Sequence, residues 1–126
     1  SYYPHSHIVS RTLLMDYQRY NGWTNYATWL CNLWFENFDF TEEVEEGRYN
    51  GMHNAEIRVM VSNYIQEYVE EFVDNETCQC NGFISDIIRS SMNDIDYIDI
   101  ADHYMDDIIE ALKVKGRAEN IYEVVG

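Results

Sequence analysis

The chain has 126 residues, 23 Asp and Glu against 8 Lys and Arg, and a formal charge of -15 at pH 7. A field of that sign repels nucleic acid and anionic membrane and attracts basic protein surfaces. The length suits one domain, and a hydrophobic fraction of 46% excludes the usual composition of an acidic disordered chain.

Residues 1–16, which begin SYYPHSHIVSRTLLM, show no clear period and hold the only Pro. They are read as an N-terminal extension, with Met15 as a candidate internal start. Residues 17–126 are read as a single acidic helical domain.

Asn21-Gly22 signals a turn. Thr24 or Asn25 is placed to cap a helix by accepting a hydrogen bond from an unpaired N–H. Tyr26, Trp29, Leu30, Leu33, Trp34 and Phe38 then recur at helical spacing. That pattern predicts an apolar face turned to the core, with Trp29 and Leu33 buried. The stretch 39–51 reads as a loop, with one short helical turn opened by Thr41.

Asn54 is the next cap, and Ile57, Met60, Val61, Tyr64, Ile65, Tyr68 and Phe72 predict the longest helix, to about Asp74. The polar run NETCQCNG breaks it. Phe83, Ile84, Ile87, Ile88 and Met92 predict a shorter helix. Asp94 or Asp96 caps the next one, with Ile95 placed to pack back on its first turn. Ile98, Ala101, Met105, Ile108 and Leu112 form that helix's expected inner face, and Gly116 its expected stop. The expected fold is therefore mainly α, a compact bundle of about four helices. An α+β competitor pairs the segments 2–14 and 120–125 in a minor two-stranded sheet.

No run approaches the ~20 apolar residues of a membrane span, and no apolar signal-peptide core opens the chain. Cys31, Cys78 and Cys80 make an odd count. That suits a reducing cytoplasm better than a disulfide scaffold.

The run Asn21-Gly22-Trp23-Thr24-Asn25-Tyr26-Ala27-Thr28-Trp29, followed by Leu33-Trp34, resembles the opening of a small, largely uncharacterised protein family of phages, plasmids and bacteria. That family reads Asn-x-x-Thr-Asn-Tyr-x-Thr-Trp and then an apolar helix. Ile95 to Tyr104 is similar to its second motif, a Val/Ile-Asn-Trp, a polar pair and Ile-Ala-x-His. Here Asp96-Tyr97 stands in place of Asn-Trp. The resemblance covers residues 20–112. It implies origin in a mobile genetic element and no established enzymatic activity.

Thirteen acids and one base, Arg89, lie between Val59 and Leu112. Asp99, Asp102, Asp106 and Glu110 fall at helical spacing, and neighbours on such a stripe lie about 5–6 Å apart, comparable to phosphates along a nucleic-acid strand. Glu67, Glu70, Glu71 and Asp74 form a second patch. Like charges at i, i+4 destabilise a helix, and this chain carries them at many sites. These eight residues are the expected partner-binding set, pairing with Arg and Lys of a target. The plainer alternative is a solvated helix face.

No phosphate loop, nucleophile elbow or HExxH is present. The His103 and Asp99 or Asp107 pair is the sole acid–base candidate. Cys78-x-Cys80 lacks the second ligand pair of a zinc site, and no calcium loop appears. No catalytic residue, metal or cofactor is expected.

The leading expectation is a non-enzymatic inhibitor from a phage or other mobile element. It acts in the host cytoplasm and mimics nucleic acid to block a basic host defence protein, a CRISPR effector or a restriction enzyme. The alternative is a small acidic adaptor or structural protein that binds through exposed aromatics such as Trp23 and Tyr104. A homodimer is compatible with either.

Overall fold

The computed structural model describes the backbone of residues 20–125 and the side chains of residues 20–117. Among these the chain is helical, with no strand: α1 (Tyr26–Trp34), α2 (Thr41–Glu45), α3 (Asn54–Thr77), α4 (Gly82–Met92) and α5 (Tyr97–Val125). The mainly helical expectation holds. The segment 120–125, proposed for a strand, is the end of α5. Its proposed partner, 2–14, and the boundary of the N-terminal extension lie outside the described residues.

The Asn21-Gly22 turn is made as its residues dictate. Both sit at positive φ, 50° and 86°, which Asn tolerates and Gly adopts freely. Tyr20 and Trp23 exchange two backbone hydrogen bonds across it, at 2.7 and 2.8 Å. Asn25 then caps α1, its Oδ1 accepting from Thr28 N at 2.8 Å.

Helix α1 buries a different side from the one its apolar spacing predicts. Thr28 and Cys31 are its buried residues, with Phe35 packed against the core just beyond. Leu33 is 49% exposed and Trp34 76%. Trp29 is half-buried against the Tyr20 ring. The helix stops at Trp34, and the chain runs irregularly to Phe40. Along that run Phe38 and Phe40 pack edge-on against Tyr64 and Tyr104. Burying these rings fixes the chain there at the expense of another helical turn.

Helix α3 begins at Asn54, the residue expected to be its cap. His53 is its N-cap, and the Glu56 carboxylate reaches back to accept from His53 N at 2.9 Å. Its buried line is Ile57, Val61, Ile65 and Val69, at the predicted 3–4 spacing. Met60, Tyr64, Tyr68 and Phe72 lie to the side of that line and keep much of their surface exposed.

Helix α5 is the hub, packed against α3, α2 and α1. Asp96 caps it, accepting from Asp99 N at 3.1 Å. Ile100, Ala101, Met105 and Ile108 are buried, while Ile98 and Leu112 are half-buried. Gly116 does not stop the helix. A helical Gly costs only about 1 kcal/mol, and the helix formers Lys113, Lys115, Arg117 and Ala118 flank it. Helix α4 forms as its apolar spacing predicts, and the structure adds Asn81 as its cap, but none of its residues is buried.

Candidate interaction surface

The two motif segments meet in space. The Thr24 backbone N–H donates to Asp99 Oδ2 at 2.8 Å, and the Thr24 hydroxyl proton is shared between Asp99 Oδ2 at 2.8 Å and Asp96 Oδ2 at 3.0 Å. The Asn25 amide donates to the Asp94 carbonyl at 2.7 Å. Asp96 N donates to the Thr28 hydroxyl at 2.9 Å, and that hydroxyl donates onward to Asn25 Oδ1 at 2.7 Å. Thr28 is fully buried. The Trp23 ring stacks on His103, centroids 3.8 Å apart and planes 23° apart. Thr24, Asn25 and Thr28 therefore tie the start of α1 to the start of α5. Buried polar groups need such partners, so these residues sit in the motif segment as architecture. Trp23, offered by the sequence as an exposed anchor, is half-buried.

This network changes the standing of the α5 stripe. Asp99 is turned inward; its side chain is 17% exposed, and one oxygen holds Thr24. Asp102 is engaged bidentately by Arg58, with Nη2–Oδ2 at 3.1 Å. Glu110 lies 3.5 Å from Arg117. Asp106 is exposed, with no ion pair or side-chain hydrogen bond to a described residue. The regular spacing is real, but the four carboxylates do not stand as one open row. Asp99 is corrected from a partner contact to an internal tie, because its position facing Thr24 brings it under the Trp23–Thr24 segment.

The second patch is the more open one. Glu67, Glu70, Glu71 and Asp74 are all exposed along α3. Glu70 accepts only from Gln66, at 3.0 Å, and Asp74 lies 3.6 Å from Arg89. Glu67 and Glu71 have no ion pair or hydrogen bond to a described side chain.

His103 Nε2 is 3.9 Å from Asp99 Oδ1, beyond a hydrogen bond. The imidazole is a packing partner of Trp23 in this arrangement, and Asp107 takes no part. Cys78 is exposed and Cys80 half-buried in the α3–α4 connection, while Cys31 is buried. Burial pushes the Cys31 thiol up to about 11, which keeps it protonated and unreactive at neutral pH. No group of three His, Cys, Asp or Glu among the described residues is placed to hold a metal ion. No helix among them is long and apolar enough to cross a membrane.

The chain belongs to DUF7249, a family of unknown function. The match spans residues 16–116, so it takes in both tied segments and all eight acidic candidates. No curated protein and no protein of solved structure matches the chain.

Sequence reasoning missed a further surface. Tyr64, Tyr68 and Phe72 stand half-exposed on one side of α3, with Phe35 packed edge-on against the last two at 6.1 and 5.2 Å. Tyr104, named by the sequence as an anchor, is instead half-buried between Phe38 and Phe40, and burial raises its phenol pKa. The available signal was the double spacing in α3, where 57/61/65/69 and 64/68/72 are each apolar. A helix apolar on so much of its circumference has more to cover than one core.

Proposed function

We propose that this chain is a non-enzymatic inhibitor that binds a basic nucleic-acid-binding protein through the acidic face of α3, in place of nucleic acid. The observation that carries this is the exposed run Glu67, Glu70, Glu71 and Asp74, balanced locally by Arg89 alone. Four carboxylates at helical spacing suit a groove lined with Lys and Arg. On α5 Asp106 is exposed without an ion pair to a described residue, whereas Asp102 and Glu110 lie against Arg58 and Arg117 and Asp99 is turned inward. The motif resemblance supports a mobile-element origin, and with it a CRISPR effector or restriction enzyme as the target class.

The test is displacement of labelled DNA or RNA from purified effectors and restriction enzymes. The parent chain is expected to displace nucleic acid, and a Glu67→Gln, Glu70→Gln, Glu71→Gln, Asp74→Asn variant to lose that effect while keeping its helical spectrum. Displacement that survives this substitution overturns the assignment to α3.

A second reading, a small acidic adaptor that binds through aromatics, is favoured by the half-exposed Tyr64, Tyr68 and Phe72. Salt separates the two. Contacts between exposed charges are screened over about 8 Å at 0.15 M, so mimicry weakens steeply with ionic strength and an aromatic contact does not.

A further inference from the structure

Helix α4 has a well-formed apolar face, and little of it is used. Ile88 and Met92 are half-buried, while Phe83 is 74% exposed and Ile87 50%. A cleft of about 290 Å³ opens between α1, α3 and α4. Leu30 and Trp34 line it from α1, Val69 and Val73 from α3, and Ile87 and Ile88 from α4. Trp34, the most exposed large apolar side chain described, stands at this cleft. The space is at the small end for a ligand pocket and lies open between helices. It suits the side chains of a partner's helix better than an enclosed small molecule.

Charge selects the partner. The cleft lining itself carries no charged side chain; Glu76 is exposed at its edge, whereas Glu70 and Asp74 line a separate crevice between α3 and α4. Glu76 stands one turn beyond Val73, on the side of α3 that faces the cleft. Arg89 lies in that other crevice, drawn to Asp74. A second copy would bring a charge of -15 against -15, and an acidic partner would meet the same repulsion. A helix laid into such a groove is read through apolar anchors at i, i+3, i+4 and i+7. Aromatic residues such as Trp34 are the side chains over-represented among binding hot spots.

We infer that the α1–α3–α4 cleft docks a cationic amphipathic helix of a partner protein, its Leu- or Ile-type residues against Trp34, Val73 and Ile87 and its Lys or Arg residues toward Glu76 and the acidic surface beyond the cleft. The site is separate from the proposed nucleic-acid mimicry and does not rest on it, because its anchors are apolar.

The probe is a synthetic helical peptide with Leu at i, i+3, i+4 and i+7 and Lys at the remaining positions, titrated calorimetrically into the full chain. Binding is expected to persist in high salt. It is expected to fall by about tenfold or more, which is about 1.4 kcal/mol, in Ile87→Asp. That substitution adds a negative charge, so electrostatics alone would strengthen the binding of a cationic peptide. Ile87 is half-exposed on a helix with no buried residue, and circular dichroism checks that the variant is folded. Trp34→Ser, at a still more exposed position, gives a second reading from the opposite wall. A peptide with Leu replaced by Ser is expected not to bind.

Several results overturn the inference. One is equal binding by the Leu→Ser peptide, which would mean attraction by charge alone. Another is unchanged binding by both folded variants. A third is a concentration-dependent dimer that Ile87→Asp abolishes, which would make a second copy the occupant. Binding only after removal of residues 1–19 would assign the cleft to the chain's own N-terminal segment.

Discussion

Thr28→Val removes one oxygen from the centre of the molecule and nothing else of comparable size. The Thr28 hydroxyl accepts from Asp96 N at 2.9 Å and donates to Asn25 Oδ1 at 2.7 Å. Asn25 Oδ1 keeps its other donor, Thr28 N, so the cap of α1 survives. Asp96 N loses its acceptor at the first turn of α5. Leaving a buried donor unmade costs about 1–3 kcal/mol, and a neutral hydrogen bond contributes about 1 kcal/mol net. The expected loss is therefore about 1–3 kcal/mol, a large share of a typical stability of about 5–15 kcal/mol. With a urea slope of about 1–3 kcal/mol/M for a small domain, the midpoint should fall by about 1 M. Thr28→Ser restores the hydroxyl, loses one methyl and should recover most of the midpoint. An unchanged midpoint in Thr28→Val would refute the tie between the motif segments. So would a Thr28→Ser variant as unstable as Thr28→Val, because the cost would then lie in packing.

The core and the exposed face of α1 should separate cleanly. Ile65→Ala or Ile100→Ala, at fully buried positions, should cost about 2–5 kcal/mol, whereas Leu33→Ala should change stability by less than about 0.5 kcal/mol, measured by urea melts. Stability should fall as pH rises past 10. Burial raises the phenol of Tyr97, followed by repulsion from Cys31 and Glu70, and burial also raises Tyr49 and Tyr104. Groups with raised folded pKa values contribute stability that is fully present below the unfolded value of about 10 and lost above it; Tyr97→Phe should flatten that alkaline limb in thermal melts. Added salt should raise the melting temperature, because the ion pairs seen are exposed and each contributes about 0–1 kcal/mol, while the net charge of -15 is self-repelling. Mild acidification acts the same way except at Asp39. Its carboxylate pKa is lowered by the Thr41 hydroxyl and amide, so its contribution is lost as pH falls through that value.

The periodicity of the chain gives helix axes reliably and helix faces less so. In α3 and α5 one apolar line runs long enough to settle the orientation, and Ile57, Val61, Ile65, Ala101, Met105 and Ile108 are buried as their spacing predicts. In α1 the apolar residues cover more than half of a short helix. Which side is buried is then decided by Thr28, whose hydroxyl must meet Asp96 N, and a buried threonine leaves no mark in a hydrophobic pattern. The end of α5 departs from its stop signal for a different reason. Gly116 is a stop signal by composition, and nothing within 4 Å of it penalises or rewards its missing side chain. In the α5 stripe, spacing reports which carboxylates share a helix face. It says nothing of an Arg58 or a Thr24 arriving from elsewhere in the chain.

The division of the acids carries the functional argument further than their number does. Asp96 and Asp99 hold Thr24, Asp102 holds Arg58, and Asp74 draws Arg89. These four have structural work, and they lie at or near contacts between elements. Glu67, Glu71, Glu76, Asp86, Asp106 and Asp107 are exposed without an ion pair or side-chain hydrogen bond to a described residue. Folding does not require them; their mutual repulsion opposes it. Glu67, Glu71, Glu76 and Asp86 share α3 and α4 with the uncovered Phe72 and Ile87, and Asp106 and Asp107 lie on α5. The Asn21–Trp29 motif serves the fold. It builds the junction from which α1 and α5 diverge, and its substitution should report on folding before it reports on any partner.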